Sequence, residues 1–398
     1  MRKWMILLLA LVGAAGCLQM KSDPYEGGTF SLTVTTALPA EYAEWSGIPI
    51  TVRVDNIVST TVYTRGADAS GKAVFTLENG MYSVTASGRS GEDIFNGTAS
   101  GLIKVLGANA SCSIPLFHSK SGALVIKEIY VGGCSKAPQE GTWQSDKYLI
   151  VHNNSAETVY LDGYCLGTVS PYNATANNPW PDDIDFAPII QAVIGFPGGG
   201  QDFPLAPGGD AIVALCGAMD HTRQYPLSVN LNREDVFALY NPEYFPNTTY
   251  HPAPGDKIRA DHLMDIVIKT GQANAYSISI SSPTVLLFRA KDMTMAEYVA
   301  KAESITQIPG STERVVKIPH EWIVDAVEVF DGRSTGNRKR LPSVLDAGYV
   351  IQSDIYKQHS LMRLVDEAAT QAQGFEVLKD TNNSTDDFYE SDTQSLHN

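Results

Sequence analysis

Apolar and polar residues alternate in short bursts along residues 29–117. Phe30-Ser31-Leu32-Thr33-Val34 is one burst, Ile48-Pro49-Ile50-Thr51-Val52-Arg53-Val54 a second and Thr60-Thr61-Val62-Tyr63 a third. A period of two sends successive side chains to opposite faces of a strand, and β-branched residues favour that pleated surface. The clearest unit follows: Asp68-Ala69-Ser70-Gly71 predicts a turn, Ala73 to Leu77 a strand, Glu78-Asn79-Gly80 a hairpin turn, and Met81 to Thr85 the returning strand. About seven short strands at this spacing predict a small β-sandwich.

The pattern restarts after Ser119-Lys120-Ser121 with Leu124-Val125-Ile126-Lys127-Glu128-Ile129-Tyr130, then Tyr148 to Asn153, Val159 to Tyr164 and Ala211-Ile212-Val213. The expected fold class is all-β, with two Ig-like sandwiches at 29–117 and 120–392. The second is enlarged by insertions read at 167–203 and 241–320. One helix is expected inside the second insertion, because Thr294-Met295-Ala296-Glu297 is a capping box followed by Tyr298, Val299 and Ala302 at helical spacing. From Asp380 onward the chain has five acids and no Lys or Arg, so residues 393–398 are expected to form a disordered tail.

The first residues carry an address. Arg2 and Lys3 precede an apolar run from Trp4 to Val12, and Gly13-Ala14-Ala15-Gly16 leads into Cys17. This resembles a bacterial lipoprotein signal: the run is too short to span a bilayer, and small residues precede the cleavage point. Residues 1–16 are expected to be removed, leaving Cys17 as the acylated N-terminus and residues 17–28 as a tether. The expected location is the outer membrane, anchored by lipid. Met20-Lys21-Ser22-Asp23 lacks a run of acids that would mark surface export, so both the periplasmic and the surface-exposed leaflet stay open.

Composition then excludes some partners. The formal charge is −15, from 29 Lys and Arg against 44 Asp and Glu, and loss of Arg2 and Lys3 with the leader takes it to −17. Phosphate backbones are repelled by such a surface, so no nucleic acid is expected. Four cysteines follow Cys17: Cys112, Cys134, Cys165 and Cys216. Their spacing matches no zinc pattern. They are read either as buried thiols or, in an oxidising compartment, as disulfide partners. Cys165 with Cys216 is the favoured bridge, both lying in apolar strand-like runs of one unit.

Candidate chemistry concentrates in the two insertions. Tyr172, Trp180, Tyr244 and Phe245 stand among Pro, Asn and Asp, a mixture suited to stacking on sugars, and equally to packing the insertions onto the sandwich. Asp182, Asp183 and Asp185 supply oxygens of the kind Ca²⁺ takes, although the EF-hand glycine and closing glutamate are missing, and a solvated acidic loop is the plainer reading. Arg333, Arg338, Lys339 and Arg340 form the single basic cluster, read as a solvated hairpin tip. His251, Asp256, Asp261, His262 and Asp265 lack metal spacing, and no nucleophile motif of the GxSxG type occurs. No catalytic residue and no cofactor is expected.

Three resemblances extend this reading. Gly71-Lys72-Ala73-Val74-Phe75 and Gly80-Met81-Tyr82 resemble the turn-strand grammar of carboxypeptidase-regulatory-like, or prealbumin-like, modules, which implies a spacer or binding platform over residues 29–117. The second unit resembles a lamin-tail domain in the order of its pieces: Leu124 to Tyr130, Tyr148 to Ser155, Val159 to Tyr164, Leu205 to Val213, Val229 to Leu239, Ile323 to Val327, and Ser360-Leu361-Met362-Arg363. It departs from the family at Ile150, where Glu is common, and in its size. The whole layout is similar to an uncharacterised family of Bacteroidetes lipoproteins, which implies no activity. The expected function is a non-catalytic binding or scaffold protein of the cell envelope, accessory to an outer-membrane transporter, with an envelope protein or a glycan as partner. The alternative is a glycan-active hydrolase using carboxylates of the insertions.

Overall fold

In strand Lys72–Glu78 every second side chain (Ala73, Phe75, Leu77) is buried and the others are exposed, so the alternation in the sequence is the alternation of the fold. The computed structural model describes residues 28–42, 47–181 and 183–397; Cys17, its tether up to residue 27 and Asp182 lie outside the described residues. Strand Thr29–Ala37 lies between Lys72–Glu78, antiparallel, and Ala110–Pro115, parallel. The facing sheet orders Val62–Gly66, Ile50–Asn56, Gly80–Ser90, Asp93–Thr98 and Phe117–Lys120, with Ile103–Val105 also pairing Gly80–Ser90. Leu32, Val34, Val52, Phe75, Tyr82 and Val84 fill the space between the sheets, each burial contributing about 1.5–3 kcal/mol before ordering costs.

The hairpin expected at Glu78-Asn79-Gly80 is not formed. Lys72–Glu78 pairs with Thr29–Ala37 while Gly80–Ser90 pairs with Ile50–Asn56 and Asp93–Thr98, so Asn79 is a corner between the two sheets. The Tyr82 hydroxyl donates back to the Glu78 carbonyl at 2.8 Å, and the Asn79 side chain accepts from the Gly107 amide at 2.7 Å. Both contacts fix the corner. The turn at Gly71 is as expected: φ is +74°, and a Cβ there would lie 2.5 Å from the Thr36 carbonyl oxygen.

The larger unit is also two facing sheets. One orders Val236–Ala238, Asp210–Ala214, Tyr148–Asn153, Leu124–Tyr130, Ser360–Arg363 and Phe388–Ser391. The other orders Ile305–Gln307, Arg314–Pro319, Phe186–Gly195, Tyr164–Val169, Thr284–Arg289, Ile323–Asp331 and Val350–Gln352, with Asp265–Lys269 also pairing Phe186–Gly195. Ile126, Leu149, Val151 and Val213 from the first sheet meet Leu166, Ile194, Leu287 and Val327 from the second in one core. The segments read as insertions are therefore no appendages: five strands of the second sheet, from Phe186–Gly195 to Arg314–Pro319, lie inside them. The helix Met295–Val299 has its full capping box, with Glu297 N–H donating to the Thr294 hydroxyl at 3.2 Å and Thr294 N–H to the Glu297 carboxylate at 2.7 Å. Met295 packs the outer face of the second sheet with Cys165, Phe288 and Trp322.

Three further expectations are corrected. Residues 393–397 are ordered: Ser395 N–H donates to Glu128 Oε1 at 3.0 Å, Gln394 is buried, and Leu396 covers the outer face of the first sheet. The basic cluster is a solvated tip only in part, at Arg333 and Arg338, which are exposed. Arg340 is buried and paired with Glu328 at 2.7 Å, and Arg338 and Lys339 bond Asn177 and the Gly348 carbonyl. The Cys165–Cys216 bridge is absent and both are buried free thiols, because Cys165 belongs to the second sheet and points into its outer cluster, whereas Cys216 follows strand Asp210–Ala214 of the first.

The two units meet along residues 380–387. Arg53 pairs with Asp386 at 3.1 Å, Ser121 donates to Asp380 at 2.7 Å, and Asn96 donates to the Asn382 carbonyl at 2.9 Å. No helix among the described residues is long and apolar enough to cross a membrane.

Candidate functional site

At one end of the larger sandwich the inter-sheet core opens into a cavity of about 450 Å³. Its walls come from segments far apart in sequence: Gln144 and Lys147 before strand Tyr148–Asn153, Tyr172 and Asn173 after Tyr164–Val169, Tyr250, and the connection Ala275 to Ser281. Lys147 reaches it through strand parity. Tyr148 and Ile150 belong to the outer cluster and Leu149 and Val151 to the inter-sheet core, so Lys147 shares the inward side with Leu149.

Buried and half-buried polar side chains hold each wall. Gln191 clamps Ser277, its amide nitrogen donating to the Ser277 carbonyl at 2.7 Å and its oxygen accepting from Ser277 N–H at 2.9 Å. Tyr276 N–H donates to His251 Nε2 at 3.1 Å, which leaves Nδ1 to donate to the Leu239 carbonyl at 3.2 Å. Asn173 Oδ1 accepts from the Ser279 hydroxyl at 2.6 Å. Arg340 donates to the carbonyls of Pro171 and Tyr172, both at 3.3 Å, and of Ser282 at 2.9 Å, tying two walls together. At the mouth, Gln144 donates to the Tyr250 hydroxyl at 3.3 Å.

The electrostatics are those of an otherwise uncharged lining with two cations, Lys147 and Arg333, of which Arg333 is paired with Asp331 at 2.8 Å. Burial pushes the phenols of Tyr172 and Tyr276 up and His251 down, so all three are uncharged at neutral pH. The buried thiol of Cys216 is likewise pushed up. The lining contains no Asp or Glu. Such a surface can take up an uncharged or anionic body through ring faces, hydroxyls and amides, but it offers no carboxylate pair for glycoside cleavage.

The aromatic candidates separate. Tyr172 lines the cavity. Phe245 is buried behind it, 5.5 Å from the His251 ring and 6.1 Å from Tyr276. Trp180 is buried, edge-on to Phe186 at 5.6 Å in a small cluster against which Tyr172 also packs. Tyr244, in the same connection as Tyr250, is 37% exposed and does not line the cavity. Asp183 and Asp185 are exposed, and among the described residues no group of three His, Cys, Asp or Glu is placed to hold a metal ion. His262 stacks on Phe237 at 4.3 Å as a packed core residue.

Lys147, Gln144, Asn173, Ser277 and the Gln191 clamp were not singled out in the sequence. The readable signal was at Lys147: a lysine at the core-facing parity of a strand that is otherwise apolar.

Comparison with known proteins gives kinship without an activity. The model of DUF4876, a protein family of unknown function, matches residues 206–395. This stretch is similar to the DUF4876 family. It includes Tyr250, the Ala275–Ser281 wall and Arg333, while Lys147 and Tyr172 lie before it. The crystal structure of a DUF4876 family protein from Bacteroides thetaiotaomicron is similar over 90% of this chain and 94% of that one, with 25% identity and a TM-score of 0.58. The likeness to the DUF4876 structure therefore extends over both sandwiches. No curated protein matches.

Proposed function

We propose that this is a non-catalytic binding protein of the cell envelope, held at the outer membrane by acylated Cys17, that takes a glycan-type ligand in the cavity at the end of its larger sandwich and serves as accessory to a transporter. The carrying observation is the cavity itself: tyrosine-walled, lined by amides and hydroxyls, free of carboxylates, and braced on every side by Gln191, His251 and Arg340. Bracing of this kind is what a recognition site needs, since a wall that moves loses affinity to ordering. The small sandwich is the spacer between lipid and site, in keeping with its prealbumin-like grammar, and the lamin-tail-like order of pieces in the larger unit supports an interaction role.

Saturation-transfer NMR with neutral hexoses tests the ligand half. Signal is expected on the wild type, with a loss of about tenfold in affinity for Tyr172→Ala with Tyr250→Ala, the scale of one to two stacking contacts. Equal signal from the double variant defeats the assignment of the site. Cys17→Ser with membrane fractionation tests the anchor, and retention of the variant in the membrane pellet defeats it.

A further inference from the structure

Lys147 is only 3% exposed, lines the cavity, and its side-chain ammonium has no hydrogen bond or ion pair to any described residue. The other buried Lys and Arg side chains among the described residues are matched: Arg340 with Glu328 at 2.7 Å, and Arg363 with Asp325, Asp380 and Asp387. The Lys147 ammonium keeps access only through the cavity, and a cation with so little water and no counter-charge is disfavoured, which is why buried charges are ordinarily paired. The adjacent acid is no partner. Asp146 faces the other side of the sheet, where its Oδ2 accepts from Tyr130 at 3.0 Å and Ser228 at 2.5 Å. Arg333 also lines the cavity, but its Nε and Nη2 are engaged by Asp331 at 2.9 and 2.8 Å.

We infer that the missing partner is the ligand's own carboxylate, and that the cavity takes a small, hydroxyl-rich monoanion of the hexuronate class with Lys147 as the specificity residue. This rests on the reading of the cavity as a binding site and names its ligand chemistry. One unmatched positive charge calls for one negative charge; a phosphate monoester carries about −1.5 to −2 at neutral pH and would bury an excess. The rest of the ligand meets Tyr172, Tyr250, Gln144 and Asn173, whose ring faces, hydroxyls and amides suit a pyranose ring. The volume of about 450 Å³ falls within the range of small-ligand sites, roughly 300–1,000 Å³.

The test is calorimetric titration of the full chain with glucuronate, glucose and glucose 6-phosphate, on the wild type, Lys147→Met and Lys147→Gln, with a thermal melt of each. Glucuronate is expected to bind roughly tenfold or more tighter than glucose, the worth of a charge-assisted hydrogen bond. Both variants are expected to lose that advantage, so that the ratio of glucuronate to glucose affinity falls to about one. Without ligand, Lys147→Met is expected to melt at or above the wild-type temperature, because it removes an unmatched charge; a lower melt marks a structural lysine and overturns the proposal. Glucose binding as tightly as glucuronate, or glucose 6-phosphate binding more tightly, overturns the carboxylate and leaves the binding site standing. Binding of none of the three by the wild type overturns both.

Discussion

Two buried cations of the larger sandwich are treated in opposite ways. Arg363 is surrounded by Asp325, Asp380 and Asp387, three carboxylates for one guanidinium, whereas Lys147 has none. Burial and the neighbouring Asp380 push Asp387 up to about 7 and Asp325 up to about 6, so the cluster sheds its surplus negative charge by holding protons. An over-matched cation is a structural joint. Here it ties strands Ser360–Arg363 and Ile323–Asp331 to the segment that touches the small sandwich. An unmatched cation on a cavity wall leaves its partner to come from outside.

The strongest way to break this comparison is Arg363→Met, which strands three carboxylates in the core. A loss of about 3–5 kcal/mol is expected in chemical denaturation, the cost of half-removing a buried ion pair. Lys147→Met, by contrast, should cost nothing. Acidity sharpens the comparison next. Between the unfolded carboxylate range and pH 7 the folded state keeps a proton on Asp387 that the unfolded chain has lost, so stability should fall as pH rises from about 4 to 7. Asp387→Asn should flatten that part of the melting profile, and an unchanged slope would remove the raised carboxyl from the account. The smallest effect is expected at the half-buried pair of Arg53 and Asp386. Arg53→Ala should cost no more than about 1 kcal/mol, yet raise hydrogen exchange along residues 380–387.

What was legible in the sequence was local. Period-two bursts located the strands of the first sandwich, and the Thr294–Glu297 box located the helix, because parity and capping are decided within a few residues. Partner choice was not local. Glu78-Asn79-Gly80 has hairpin chemistry, but Thr29–Ala37, some forty residues earlier, claims the strand before it. The same holds for residues 167–203 and 241–320, whose strands pair across long gaps and so resemble inserted loops. Arg340 and the acidic C-terminal run looked solvated because charge ordinarily seeks water; Glu328, 12 residues before Arg340, and Arg363, 17 before Asp380, bring them inside once the strands that carry them are paired. At the site, Tyr172 was found from its setting and Lys147 was missed, since a lysine within an apolar strand shows its unmatched state only when both sheets are in place.

The pinned C-terminal segment has a consequence for synthesis. Asp380 and Asp387 complete the shell of Arg363, Ser395 satisfies Glu128, and residues 380–387 seat the small sandwich. A nascent chain that has emerged only as far as residue 379 holds both sandwiches' strands except the last, together with a guanidinium short of two carboxylates. Closure of the fold thereby waits on residues 380–395, and chains cut short before them are expected to be more open to proteases, which limited proteolysis of a chain ending at residue 379 would check.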